Sequence, residues 1–226
     1  ITVGALTTLG TGGITLNAEG ALTVSGALRT ADRATSGATG SIALTAGGAI
    51  AVNANITTGN ASVADAAGNQ SAISGNISET AGTGITGTGL RLITGNASMT
   101  GAAAGTETIT SGTVTLNVTG AGDVGLSGAN ALTIGSATGN GVGSTATTGN
   151  ITVTGADRVN NGTPGSALDV SFGAASGGAS NVTGRLNVTT DGGPGAAGEI
   201  QIISDEALSV GTLATAAASS QNVSIS

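Results

Sequence analysis

The side chains able to do chemistry are few and narrow in type. The chain of 226 residues carries twelve carboxylates, five basic residues that are all arginine, no histidine, no cysteine and a net charge of −7. Without cysteine there is no disulfide, no thiolate zinc site and no catalytic thiol. Without histidine or lysine there is no imidazole acid–base pair and no Schiff base. The negative balance lacks the basic footprint that nucleic acid needs. Phe172 is the single aromatic residue, so stacking platforms for bases or sugars are missing as well.

The remaining chemistry rests on carboxylates and amides. Glycoside hydrolysis needs two carboxyl groups at a defined separation, and Asp157 with Asp169, or Asp205 with Glu206, are the pairs to consider. With no aromatic platform beside them, a solvated acidic surface is the expected reading, and no catalysis is expected. Asp32-Arg33 and Asp157-Arg158 are expected to be exposed loop charges that add little to stability. Gly120-Ala121-Gly122-Asp123-Val124 is a lone fragment of a calcium repeat that works only in tandem. No metal site and no cofactor is therefore expected. Thr-x-Thr occurs at Thr108–Thr110, Thr113–Thr115 and Thr152–Thr154, too sparsely to predict an ice-contacting ladder. Asn-x-Ser/Thr sequons start at Asn55, Asn60, Asn69, Asn76, Asn96, Asn117, Asn150, Asn161, Asn181, Asn187 and Asn222. They are candidate glycosylation sites. Alternation alone also accounts for them, since it places Asn and Ser/Thr outward around an inward aliphatic residue.

The elements that carry these residues follow from one recurring phrase, aliphatic-polar-aliphatic after a small or polar residue. Ile14-Thr15-Leu16, Ile42-Ala43-Leu44, Val114-Thr115-Leu116, Ile151-Thr152-Val153 and Leu186-Asn187-Val188 are examples. Period-two alternation rich in β-branched residues marks short strands with one buried face. Paired phrases begin eight residues apart at Ile14 and Leu22, Ile42 and Ile50, Val124 and Leu132, and Ile200 and Leu208. Longer steps fall near 17 to 20, as from Leu22 to Ile42.

A coil of two or three strands and about 20 residues is the expected unit. The fold class expected is all-β: a right-handed parallel β-helix (β-solenoid) of roughly 11 coils, on the order of 50 Å long, with irregular loops. The whole of 1–226 reads as a single β-solenoid segment. Glycine at the corners is expected to supply positive φ. The asparagine of each Gly-Asn step (Gly59-Asn60, Gly75-Asn76, Gly95-Asn96, Gly149-Asn150) is expected to satisfy local backbone groups. Phe172 continues the phase of Leu168 and Val170 and should point inward. The echo between Ala31-Asp32-Arg33 and Ala156-Asp157-Arg158 suggests equivalent excursions from two coils.

Rival classes are excluded by composition. Charge is too low for the usual disordered signature, and 42 glycines without a period of three are not collagen. No run approaches the length of a membrane helix, and the aromatic girdles of a membrane barrel are absent. No signal peptide is visible, and the chain begins at Ile1, so it is expected to be a piece of something longer.

Gly13-Ile14-Thr15-Leu16-Asn17-Ala18 with Gly20-Ala21-Leu22-Thr23-Val24-Ser25, and Gly195-Ala196-Ala197-Gly198-Glu199-Ile200-Gln201-Ile202, resemble filamentous haemagglutinin-type bacterial exoproteins. These adhesins are exported by two-partner or autotransporter routes. Pro164 and Pro194 follow Thr163 and Gly193, so the Asn-Pro-Asn motif of that family's secretion domain is missing and the resemblance is to the shaft. It implies an extracellular or bacterial cell-surface setting, and sequons that are glycosylated in some related adhesins. The expected function is a structural shaft or spacer. The alternatives are a ligand-binding solenoid contacting carbohydrate or ice, and a polysaccharide-degrading enzyme. Strand phrases at both termini, Ile1-Thr2-Val3 and Val223-Ser224-Ile225, predict continuation of the chain or head-to-tail self-stacking. A host or neighbouring-cell surface is the further partner expected; nucleic acid and membrane insertion are not.

Overall fold

The computed structural model describes residues 1–64, 68–88, 90–101, 105–127, 131–156, 158–160, 169–190, 199–202, 210–215 and 222–225. Every regular element among them is a strand, and every strand pairing is parallel. The strands form four sheets of eight, seven, seven and six members. Successive turns of the chain stack on one another, which makes the fold a β-solenoid.

One coil shows the plan. Ser71–Ile73 is followed by Ile77–Ala81, Ile85–Thr88, Arg91–Ile93 and Ala97–Met99, which between them come from all four sheets, before the chain returns at Glu107–Thr110. Ile77–Ala81 lies in a sheet we term the long face, between Ile42–Ala46 and Val114–Val118. Alternation then does what period two requires: Ile77, Glu79 and Ala81 are buried and Ser78 and Thr80 face outward. Stacking puts like on like. Ile14, Ile42, Ile77, Val114, Ile151 and Leu186 form one interior column. Leu22, Ile50, Ile85 and Val124 form the next. Phe172 pairs with Ile134 and packs half-buried against this core, as its phase predicts. Where Gly87 interrupts a column above Val52, Leu90 fills the space that a Cβ there would need.

The coil is longer than the expected 20 residues. The first turn has that length, since the Ile1 amino group donates to Ala21 O, 20 residues on. Later inter-rung bonds span 29 residues from Gly59 to Thr30, 37 from Gly95 to Thr58, and 41 from Gly135 to Thr94. Eleven coils of that kind do not fit this chain. The tallest sheet stacks eight strands, a height of about 34 Å at the usual strand spacing. The eight-residue steps are passages from one side of a coil to the next, as from Ile42–Ala46 to Ile50–Val52; Leu208 of the last such pair lies outside the described residues.

The extra length is a lateral lobe built from alanine-rich strands that the aliphatic phrase does not detect. Ala61–Val63 and Ala97–Met99 make one flank of it, and Ser71–Ile73 and Glu107–Thr110 the other. The strand Ala137–Thr147 pairs with both flanks. The lobe has its own apolar cluster of Ala61, Val63, Ala72, Ala97, Met99, Ile109, Ala137 and Ala146, separate from the main core.

Candidate functional site

A neck joins the lobe to the main core, and it is where the polar residues of the sequence converge. Chain enters the lobe through Thr58-Gly59-Asn60 and leaves it through Ser74-Gly75-Asn76, and the phrase recurs at Thr94-Gly95-Asn96 and Thr148-Gly149-Asn150. The hydroxyls are buried, so each needs partners. On the entry corner Thr30 Oγ1 accepts the Gly59 N–H at 2.9 Å, and Thr58 Oγ1 accepts that of Gly95 at 2.9 Å. On the exit corner Thr39 Oγ1 accepts from Gly75 at 2.7 Å, Ser74 Oγ from Gly112 at 2.7 Å, and Thr148 Oγ1 from Gly184 at 2.7 Å. The same hydroxyls donate across the neck. Thr30 reaches Gly40 O at 2.9 Å, Thr39 reaches Gly59 O at 3.1 Å, and Thr58 reaches Gly75 O at 2.9 Å. A hydrogen-bonded seam therefore separates two dry interiors.

The sequence-based expectation that corner glycines supply positive φ fails at this seam. Positive φ occurs at other glycines, such as Gly84 and Gly155. Gly75, Gly112, Gly149 and Gly184 are stacked so closely that a Cβ on each would strike the backbone oxygen of the glycine one rung below. The asparagines also act between rungs rather than locally. Asn60 Oδ1 accepts the Asn96 N–H at 2.8 Å and Asn96 Oδ1 that of Ser136 at 2.8 Å. Asn76 does the same for Thr113 at 2.9 Å and Asn150 for Arg185 at 2.9 Å. Asn69 and Asn187 accept from Thr106 and Thr212 at 3.0 and 3.1 Å. Asn117 accepts from the Thr154 hydroxyl at 2.9 Å, and Asn181 bonds within its own turn at Gly178. Asn55 is exposed at the start of Asn55–Thr57. Asn222 begins the strand Asn222–Ile225, and Asn161 lies outside the described residues. Eight of the sequon asparagines thus have an acceptor duty, and four of them, Asn60, Asn76, Asn96 and Asn150, stand in the Thr/Ser-Gly-Asn phrase.

Asp157, Asp205 and Glu206 lie outside the described residues, and Asp169 starts the strand Asp169–Phe172. Asp32 is exposed, as expected, and Arg33 is half-buried, and both are bonded. Asp32 pairs with Arg29 at 3.2 Å and accepts the Asn60 N–H at 2.8 Å, starting the asparagine ladder. Arg33 pins its own loop through the Thr35 and Ser36 carbonyls. The two Ala-Asp-Arg phrases are not equivalent. Ala31–Arg33 occupies the corner into the lobe, whereas Ala156 ends a strand of the long face and Arg158 begins one in the neighbouring sheet.

Three features were not foreseen. The outer side of the long face aligns Thr15, Ala43, Ser78, Thr115, Thr152 and Asn187 in one column, with Asn17, Thr45, Thr80, Asn117 and Thr154 in a second. Glu79 occupies an interior column between Leu44 and Leu116. Both its carboxyl oxygens lack a hydrogen-bond partner, and burial pushes its pKa from 4.5 to about 8. Glu107 is fully buried in the lobe. The signal was present in both cases: Glu79 shares the phase of Ile77, and Glu107 that of Ile109.

Compared with known proteins, the chain matches no family model, no curated protein and no solved structure. Fold and ladders by themselves define its class, a parallel β-solenoid with a lateral lobe. Among the described residues no helix is long and apolar enough to cross a membrane.

Proposed function

We propose that this chain is a structural shaft: a stiff spacer within a bacterial surface or secreted adhesin-like protein or filament, working mechanically and not as an enzyme. The observation that carries this reading is the ladder system. Backbone sheets, neck hydroxyls and Asn side chains all bond in the axial direction, so each rung is held to the next by side chains as well as by strands. Low charge and the absence of lysine suit an extracellular life. A right-handed winding is the expected hand. Exposed Ile1, Leu6 and Leu9 on the first coil, with Leu9 97% exposed, support coil-on-coil contact there, from a second copy or from more chain. Glycans on the outward sequons would be compatible with the ladders, which use Oδ1 and leave Nδ2.

The test is imaging with pulling. Electron micrographs should show short straight rods, and end-to-end pulling should give cooperative rupture that Asn96→Ala weakens. Specific binding or cleavage of a soluble glycan by the isolated chain would overturn the reading. A second reading has one observation in its favour, the paired uncharged columns on the long face. A flat periodic surface of this kind suits contact with ice or carbohydrate, and thermal hysteresis abolished by Thr80→Lys would support it.

A further inference from the structure

The lateral lobe buries a group of oxygen atoms that protein donors leave unsatisfied. Glu107 projects inward from Glu107–Thr110, in register with Ser144 of Ala137–Thr147. Asn140 Nδ2 donates to Gly101 O and to Glu107 Oε1, both at 3.3 Å, the long end of the useful range. Glu107 Oε2 and Asn140 Oδ1 are buried acceptors with no donor. Ser144 is buried beside them and spends its proton on Gly141 O at 2.7 Å, which leaves its lone pairs free. A buried carboxylate whose neighbours are mostly acceptors is stabilised by a positive charge placed among them. No lysine exists in the chain to provide one.

We infer that the lobe holds a calcium ion between Glu107, Asn140 and the Gly101 carbonyl, with Ser144 Oγ adjacent. The donor set is all oxygen, mixed between carboxylate, amide and backbone, as calcium prefers. Turning the Asn140 amide over by 180° puts its oxygen where Nδ2 now sits, 3.3 Å from both Gly101 O and Glu107 Oε1. Neighbouring ligand oxygens around an ion with metal–oxygen distances of 2.3–2.6 Å are separated by about 3.3–3.7 Å. The present contacts are therefore long for hydrogen bonds and right for edges of a calcium shell. Magnesium, which requires near-ideal octahedral geometry, fits this mixed set less well. With a single carboxylate, affinity falls in the weak class of extracellular modules, about 10⁻⁴–10⁻³ M. The ion would tie the returning strand and the loop after Ala97–Met99 to Ala137–Thr147, closing the lobe away from the neck. The site does not depend on the shaft reading.

The experiment is thermal unfolding of the chain followed by far-ultraviolet circular dichroism, in EDTA and in 5 mM calcium chloride. Wild type should gain about 2–6 °C with calcium, and Glu107→Gln should gain less than 1 °C, whereas Glu19→Gln on the surface should behave as wild type. Carbon-13 spectra give a readout that needs no variant. The chain has five glutamates, and one carboxyl resonance should saturate with calcium at low millimolar concentration while magnesium leaves it in place. Equal stabilisation of wild type and Glu107→Gln, meaning calcium on surface carboxylates, would overturn the site. So would five unmoved glutamate resonances, which would leave the site without an ion.

Discussion

The solenoid has two interiors that solve the same packing problem differently. The main core is closed by three sheets and filled by Ile, Leu and Val in columns. The lobe is narrow, and alanine lines most of it, with Val63, Met99 and Ile109 as its only larger buried apolar side chains among the described residues. Width decides this. Two strands that approach closely leave room for a methyl group, whereas three sheets around a wider space need branched side chains to reach the density of a protein interior. Among the described residues each interior also buries one glutamate. Glu79 sits among aliphatic side chains with no partner; Glu107 has Asn140, Ser144 and a carbonyl beside it. The first is a penalty in a column, the second a site.

The largest expected effect is at the neck, where the interiors share a wall. Gly112→Val drives side-chain atoms into the Gly75 carbonyl of the rung below and should cost on the order of 5 kcal/mol. Chemical denaturation should then show loss of the whole fold. If hydrogen exchange instead finds the main core still protected, the two interiors are independent units.

Glu79→Leu tests the main core alone. The folded pKa of about 8 lies above the ordinary 4.5, so the unfolded state releases this proton first. The cost of burying Glu79 is therefore smallest below pH 4.5 and grows as pH rises towards 8, at about 1.4 kcal/mol per unit. The gain of Glu79→Leu over wild type should be about 3 kcal/mol larger at pH 7 than at pH 4. An equal gain at both pH values would show that the carboxyl is not desolvated.

Thr58→Val keeps shape at the seam and removes its hydrogen bonds. Gly95 N–H and Gly75 O lose their partner, a cost of about 2 kcal/mol. Exchange should speed up in the lobe before the main core. Arg29→Ala breaks only an exposed ion pair, 53% accessible on both sides, and should change stability by less than about 0.5 kcal/mol. A larger loss would mean that the Asp32 start of the asparagine ladder depends on Arg29.

Legibility followed the strength of the local signal. Ile77-Ser78-Glu79-Thr80-Ala81 states its faces by alternation, and so does Val114–Val118. Ala61-Ser62-Val63 and Ser71-Ala72-Ile73 alternate as well. Alanine carries so little contrast with serine that these strands look like linker, and missing them shortened the coil by half. Asn55, Asn60, Asn69, Asn76, Asn96, Asn150 and Asn181 are exposed, in line with the alternation, yet their purpose was not visible. The acceptor of Asn60 is the N–H of Asn96, 36 residues away, and nothing local connects the two.

Strand identity and side-chain direction were decided within a few residues, because period two is a property of the extended backbone and does not depend on what lies beside it. Which strand lies on which was decided only by closing each turn, since the partner of a rung is fixed by the full circumference of a coil. Circumference, the second interior and the oxygen cluster around Glu107 therefore belong to the tertiary structure.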